Sequence, residues 1–196
     1  RPADLDAVAY SYDPALAPPL NGDVTADGWE GLRTLYAARA PRFLAAALPG
    51  LDPERVRFVP HHVAHAASAH LAAPFRSCAV MVLDGRGERA SYLAGRAREG
   101  RLEVLATQEL PHSLGLMYEE LTAHLGFRRS SDEYKVMALA AYGRPTALPA
   151  LRELVRATGD GGFAVEPIDW AALGAGDADL AASAQARLEE VLLDLA

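Results

Sequence analysis

Four of the chain's six histidines fall within ten residues, in the run Pro60-His61-His62-Val63-Ala64-His65-Ala66-Ala67-Ser68-Ala69-His70. On a helix, His61 and His65 lie one turn apart on a single face, about 5–6 Å from each other. Two neutral imidazoles at that spacing can converge on one divalent cation. The glutamate of an HExxH metalloprotease is absent. The same histidines would also serve as polar groups at a helix start, and spacing alone leaves both readings open.

A second run, Val80-Met81-Val82-Leu83-Asp84-Gly85-Arg86-Gly87-Glu88, places a carboxylate where an apolar strand ends. Gly85 and Gly87 permit a sharp turn whose backbone N–H groups can cradle a phosphate. Asp84 could join two histidines in a 2-His-1-carboxylate set, which suits iron(II) or a similar metal. An ordinary hairpin turn would have the same composition. A third run, Ser130-Ser131-Asp132-Glu133-Tyr134-Lys135, reads as a helix start with acidic residues at its positive end. Glu133 could accept hydrogen bonds from a ribose and Lys135 could meet a phosphate; capping plus a solvated lysine is the equal alternative. In Pro111-His112-Ser113-Leu114-Gly115, Ser113 suits an N-cap. There His112 is either a donor to a ligand or a surface group.

The elements that must position these residues follow from periodicity. Leu5–Ser11 suits a buried strand and Ala15–Ala26 a loop. Asp27 can cap a helix to about Leu48, with Leu32, Leu35, Tyr36, Phe43 and Leu44 at helical spacing and Pro41 kinking or splitting it. A short strand at Val56–Val59 precedes a helix from His61 to about Leu71. Ala79–Leu83, Ser91–Ala94 and Leu102–Glu109 read as a three-stranded meander. Helices are expected over about 114–125, 132–142, 147–157 and 180–195, with a short strand near 163–166. The alternation indicates an α/β protein.

Composition narrows the classes. Of 196 residues, 51% are hydrophobic and 23% charged, which excludes disorder for most of the length. The longest apolar stretches, such as Cys78–Leu83, are about six residues, against roughly 20 for a membrane span. The formal charge of −7 argues against a basic nucleic-acid face. The single cysteine, Cys78, excludes an internal disulfide and fits a reducing compartment, so a cytoplasmic location is expected. Lys135 is the one lysine among 19 basic residues, so its compact ammonium stands out against the arginines. The chain starts Arg1-Pro2-Ala3, without methionine, and reads as a piece of a longer protein.

The stretches HHVAHAASAHLAAPF, VMVLDGRGE, LPHSLGLMYEELTAHLGF, DEYKVMALAAYGRP and DLAASAQARLEEVL, in this order, resemble the N-terminal domain of the O-carbamoyltransferases of nodulation-factor and antibiotic biosynthesis. The likeness covers roughly 55–196, with a weaker match at LDAVAYSYDP. It implies part of an actin-like ATPase (ribonuclease H-like) fold: residues 1–77 the end of the first lobe, 78–196 the start of the second. It also implies carbamoyl transfer from carbamoyl-adenylate to a hydroxyl of a small-molecule acceptor. A separate downstream domain, not contained in this sequence, would make that donor from carbamoyl phosphate and ATP. On this basis the fragment alone would be inactive.

By motif, His61, His65 and Asp84 correspond to metal ligands, with iron(II) the implied ion. Gly85, Gly87, Glu133 and Lys135 fall in nucleotide-contacting stretches, while His62 and His112 match motif positions without a firm role. Two rival functions stay open at this point. One is threonylcarbamoyl transfer to tRNA, which the acidic charge disfavours; the other is a non-catalytic fragment that binds a partner through unpaired edges.

Overall fold

A computed structural model describes residues 1–19 and 28–196. The chain divides into two units, one of Arg1–Val80, Gly87–Arg89 and Ala97–Leu102, the other of Met81–Arg86, Ala90–Arg96 and Glu103–Ala196. Among the described residues there are six α-helices and seven strands, a mixed α/β content.

In the first unit, β1 (Val8–Tyr10) and β2 (Val56–Phe58) pair in parallel, with Val8 opposite Val56 and Tyr10 opposite Phe58. Parallel neighbours require a long crossover, and α1 (Gly28–Ala47) provides it. The first strand is shorter than the expected Leu5–Ser11, and a 3-10 turn at Pro2–Asp4 precedes it. Helix α1 runs through Pro41 without splitting; the proline removes one donor, and the helical turns on either side carry the chain across. The Asp27 cap and most of the Ala15–Ala26 loop lie outside the described residues.

Helix α1 buries small residues. Gly31, Ala37 and Ala40 turn inward, while Leu32, Tyr36 and Phe43 are exposed. Small side chains allow the closest backbone approach, and that choice rotates the larger residues outward.

Helix α2 (His61–Ala72) is alanine-rich and ends at Ala73, whose extended backbone suits the residue before Pro74. Its inward stripe is His62, Ala66 and His70, at four-residue spacing. The three-stranded sheet has the order β3 (Ser77–Leu83), β4 (Ala90–Arg98), β5 (Arg101–Glu109). Glu99 and Gly100 link β4 to β5 with positive φ values of 50° and 76°, the two-residue turn that matches strand twist.

The second unit contains α3 (Leu114–His124), α4 (Glu133–Ala140), α5 (Leu148–Leu154) and α6 (Asp177–Leu195) around a core that includes Tyr92, Leu121, Val136, Leu151, Phe163 and Val191. The helix expected to reach 157 stops at Leu154. Val155–Ala157 instead forms β6, antiparallel to β7 (Phe163–Val165), where β-branched Val155 faces Val165. A Cβ at Gly143 would lie 1.9 Å from the Ala178 carbonyl oxygen. The exit of α4 therefore meets the start of α6 backbone to backbone.

Arg187 on α6 is buried, donating from Nε to the Val155 carbonyl at 2.6 Å and from Nη1 to Glu190 at 2.6 Å. Glu190 also binds Arg152 of α5, with Arg152 Nε 3.0 Å from Oε2. The Arg152 and Arg187 hydrogen bonds hold the Glu190 carboxyl at about 2, below its ordinary 4.5. A depressed folded-state pKa stabilises the protein above the unfolded value and ceases to do so as pH falls through the folded one. Replacing Glu190 by Gln should therefore lower the melting temperature at pH 7, and the gap from wild type should close between pH 4.5 and about 2. A gap that stays constant over that range in thermal melts would contradict the assignment.

Candidate functional site

In the first unit, Pro60 sets the start of α2, so His61 and His65 stand one turn apart at its N-terminal end. His61 is half-buried and His65 exposed. Their rings meet edge to face with centroids 4.6 Å apart, and the two Nε2 atoms are 3.2 Å from each other. His61 Nδ1 lies 2.9 Å from the Ser11 carbonyl oxygen. A carbonyl only accepts, so Nδ1 carries the proton and the neutral ring has its lone pair on Nε2, facing His65. A backbone carbonyl on the far nitrogen is the usual way in which a metal-binding imidazole is oriented.

Two nitrogens each about 2.1 Å from one ion lie about 3.0 Å apart at the octahedral angle and about 3.4 Å apart at the tetrahedral one. The observed 3.2 Å separation and the tautomer of His61 fit a divalent cation. As a contact between the two rings, the same separation is a hydrogen bond from His65 Nε2–H to His61 Nε2.

In the second unit, Asp84 follows β3 and its carboxylate takes the Gly85 N–H at 2.6 Å. That N–H therefore orients the Asp84 carboxylate in this structure. The turn rests on the entry to α3. Ser113 Oγ accepts from Leu116 N at 3.1 Å, the expected cap, and donates to the Gly85 carbonyl at 2.7 Å. Asp84, Gly85, Glu119, Glu133 and Gln185 line a cavity of about 500 Å³ with apolar walls from Leu83, Leu114, Met137, Leu188 and Leu192. That volume falls in the range of small-molecule sites, ~300–1,000 Å³.

Charge around this cavity is already organised. Glu119 is paired with Arg86 at 2.7 Å, and Glu133 Oε1 accepts from Ser130 N at 2.6 Å. Tyr118 donates its hydroxyl proton to Gln185 Oε1 at 3.0 Å. Burial, reinforced by the Glu189 charge, pushes its phenol up to about 12, so it is a donor at neutral pH.

The remaining candidates are placed separately. Gly87 belongs to the first unit, where its carbonyl accepts from Arg33 Nη2 at 2.6 Å. Lys135 does not line the cavity; it pairs with Asp132 at 3.0 Å, its Nζ 5.9 Å from the centre of the Phe127 ring and 5.7 Å from that of Tyr134. The Arg128 backbone N–H and then Lys135 hold the Asp132 carboxyl below its usual range. His62 is buried on the inward stripe of α2. Through Nδ1, His112 contacts the Val165 backbone, 3.2 Å from N and 3.1 Å from O, which ties the approach to α3 onto β7.

Three contacts had no sequence signal. The Ser11 carbonyl is main chain, and Glu88 appeared only as the end of a glycine turn. The Cys78 Sγ contact to His70 Nδ1, 3.3 Å, joins residues read for other reasons.

The Asp84-Gly85 turn approaches α3 so closely that a Cβ on Gly115 would lie 2.7 Å from both Cα and N of Gly85. Replacing Gly115 by Ala should therefore push this turn off the helix, at a stability loss on the order of 2 kcal/mol. Denaturant unfolding measures it, and an unchanged midpoint would show that the turn has room to spare.

Residues 34–172 match the family model of the carbamoyltransferase N-terminus. Nodulation protein NolNO of Sinorhizobium fredii is 42% identical over 95 residues, covering 48% of this chain and 14% of that protein. Nodulation protein NolO of Bradyrhizobium diazoefficiens is 39% identical over 85 residues, 43% of this chain and 15% of that protein. An uncharacterized protein of Synechocystis sp. is 43% identical over 88 residues, 45% of this chain and 14% of its own length. These alignments thus span only a small part of each relative. The family match takes in the histidine pair, the Asp84–Glu88 turn and the start of α4. The chain belongs to the carbamoyltransferase N-terminus family.

Proposed function

We propose that this chain forms part of an O-carbamoyltransferase that passes the carbamoyl group of carbamoyl-adenylate to a hydroxyl of a small molecule. The observation that carries the reading is the histidine pair: Nε2 atoms 3.2 Å apart, with the outer nitrogen of His61 on the Ser11 carbonyl. It occurs within a carbamoyltransferase family match. The fold is proposed to be actin-like, with 1–77 closing one lobe and 78–196 opening the next. The donor would come from a further domain acting on carbamoyl phosphate and ATP. Among the described residues no helix is long and apolar enough to cross a membrane. The proposed cytoplasmic location rests instead on the single free cysteine, Cys78, which suits a reducing compartment.

His61, His65 and Asp84 would hold a divalent metal, iron(II) by the mix of imidazole and carboxylate donors. When bound, such an ion supplies Lewis-acid polarisation of the carbamoyl group. The chain's own residues do the rest. Ser11 fixes the proton on His61 Nδ1, and the Gly85 N–H turns the Asp84 carboxylate. Glu133, on the cavity wall, would accept from the ribose hydroxyls. Lys135, Gly85 and Gly87 are proposed as phosphate contacts on the family resemblance of their stretches. In the overall transfer the acceptor oxygen bonds to the carbamoyl carbon as the bond to the AMP oxygen breaks. AMP leaves with the electron pair, and the acceptor's proton passes to water.

Metal analysis of the full-length protein, paired with a transfer assay on carbamoyl phosphate, ATP and hydroxyl acceptors, tests this reading. His61→Ala and Asp84→Asn should each lose the metal and reduce transfer roughly a hundredfold or more. Variants that keep wild-type metal content and transfer would overturn it.

A further inference from the structure

We infer that Glu88 is a positioning residue for the His61 imidazole. The inference rests on the reading of His61 as a metal ligand. The first turn of a helix leaves backbone N–H groups without intrahelical partners, and Pro60, at the N-cap of α2, has no side-chain acceptor to offer. Glu88 supplies one from a segment 27 residues further on: Oε1 lies 2.9 Å and Oε2 3.2 Å from His61 N. The negative carboxylate also suits the positive end of the helix.

The same carboxylate has a second hold. Its Oε1 accepts from Asp13 N at 2.7 Å. Asp13 lies two residues beyond Ser11, whose carbonyl receives the His61 Nδ1 proton. Glu88 therefore binds both backbone segments that define the imidazole, the one that carries the ring and the one that fixes its tautomer. The Glu88 segment is itself clamped from α1. Arg33 donates to the Gly87 carbonyl at 2.6 Å while lying 4.8 Å from the centre of the Tyr12 ring, and the Tyr12 hydroxyl meets Thr34 at 3.1 Å. All of these residues belong to the first unit.

The position of the acceptor oxygens, rather than the charge, is what this role requires. Glu88→Gln keeps a carbonyl oxygen that can take both N–H groups and loses the charge. Glu88→Asp keeps the charge and withdraws the oxygens by one methylene. The test is optical titration of the chelator-treated, full-length protein with Co²⁺, using His61→Ala as reference. Glu88→Asp should weaken Co²⁺ binding roughly tenfold to a hundredfold, the scale of groups that orient metal ligands. Glu88→Gln should stay within about threefold of wild type, less than the smallest loss expected of such a group.

Wild-type affinity in Glu88→Asp, or a loss in Glu88→Gln as large as that in Glu88→Asp, would overturn the positioning role while a defective His61→Ala leaves the metal reading standing. Wild-type affinity in His61→Ala would overturn the metal reading and this inference with it.

Discussion

A proton on one nitrogen of one ring organises the first unit's candidate chemistry. The Ser11 carbonyl can only accept, so its 2.9 Å contact commits His61 Nδ1 to being a donor and Nε2 to carrying the lone pair. Rotate the ring or move the proton, and the nitrogen facing His65 has nothing to offer a cation. The surrounding structure serves that arrangement. The parallel β1–β2 pair brings the segment after β1 close to the start of α2, where Tyr12 N bonds to the Tyr10 carbonyl and Val59 N bonds to the same oxygen. A three-residue strand pair is small, but it sets the register of the two segments that the histidine needs.

The second unit obeys a different constraint. Its larger apolar core lets helices approach closely, and glycine is used where backbone must meet backbone. Gly115 lets the Asp84-Gly85 turn sit on α3, and Gly143 lets α4 end against α6. The cavity beside Asp84 combines aliphatic walls with a few fixed polar groups, most of which already have a partner of known geometry. An incoming ligand would find donors and acceptors held in place, which limits the ordering entropy that binding must overcome.

Much of this could be read from residue order. The α2 helix with its paired histidines, the meander, the Ser113 cap and the α6 helix all follow from spacing and turn chemistry. The gaps and errors have local physical causes. The spacing of Leu32, Tyr36 and Phe43 marked the α1 helix but not its buried face, which is Gly31, Ala37 and Ala40, because small side chains permit the nearest approach. Residues 155–157 became a strand, because the antiparallel partner at 163–165 and the intervening turn outweighed a weak helical pattern. Main-chain and long-range contacts were the least accessible. Ser11 acts through its carbonyl, and Glu88 reaches back 27 residues to a backbone nitrogen; neither leaves a mark in side-chain type or period.

The most direct test follows the ring nitrogens themselves. Nitrogen-15 spectra of the imidazoles, recorded on metal-free protein and during addition of Zn²⁺, report which nitrogen of each ring is protonated. The account predicts His61 with its proton on Nδ1 before addition, and Nε2 resonances of His61 and His65 that move together at one equivalent of metal. A His61 ring protonated on Nε2, or resonances of the two rings that ignore the ion, would contradict it.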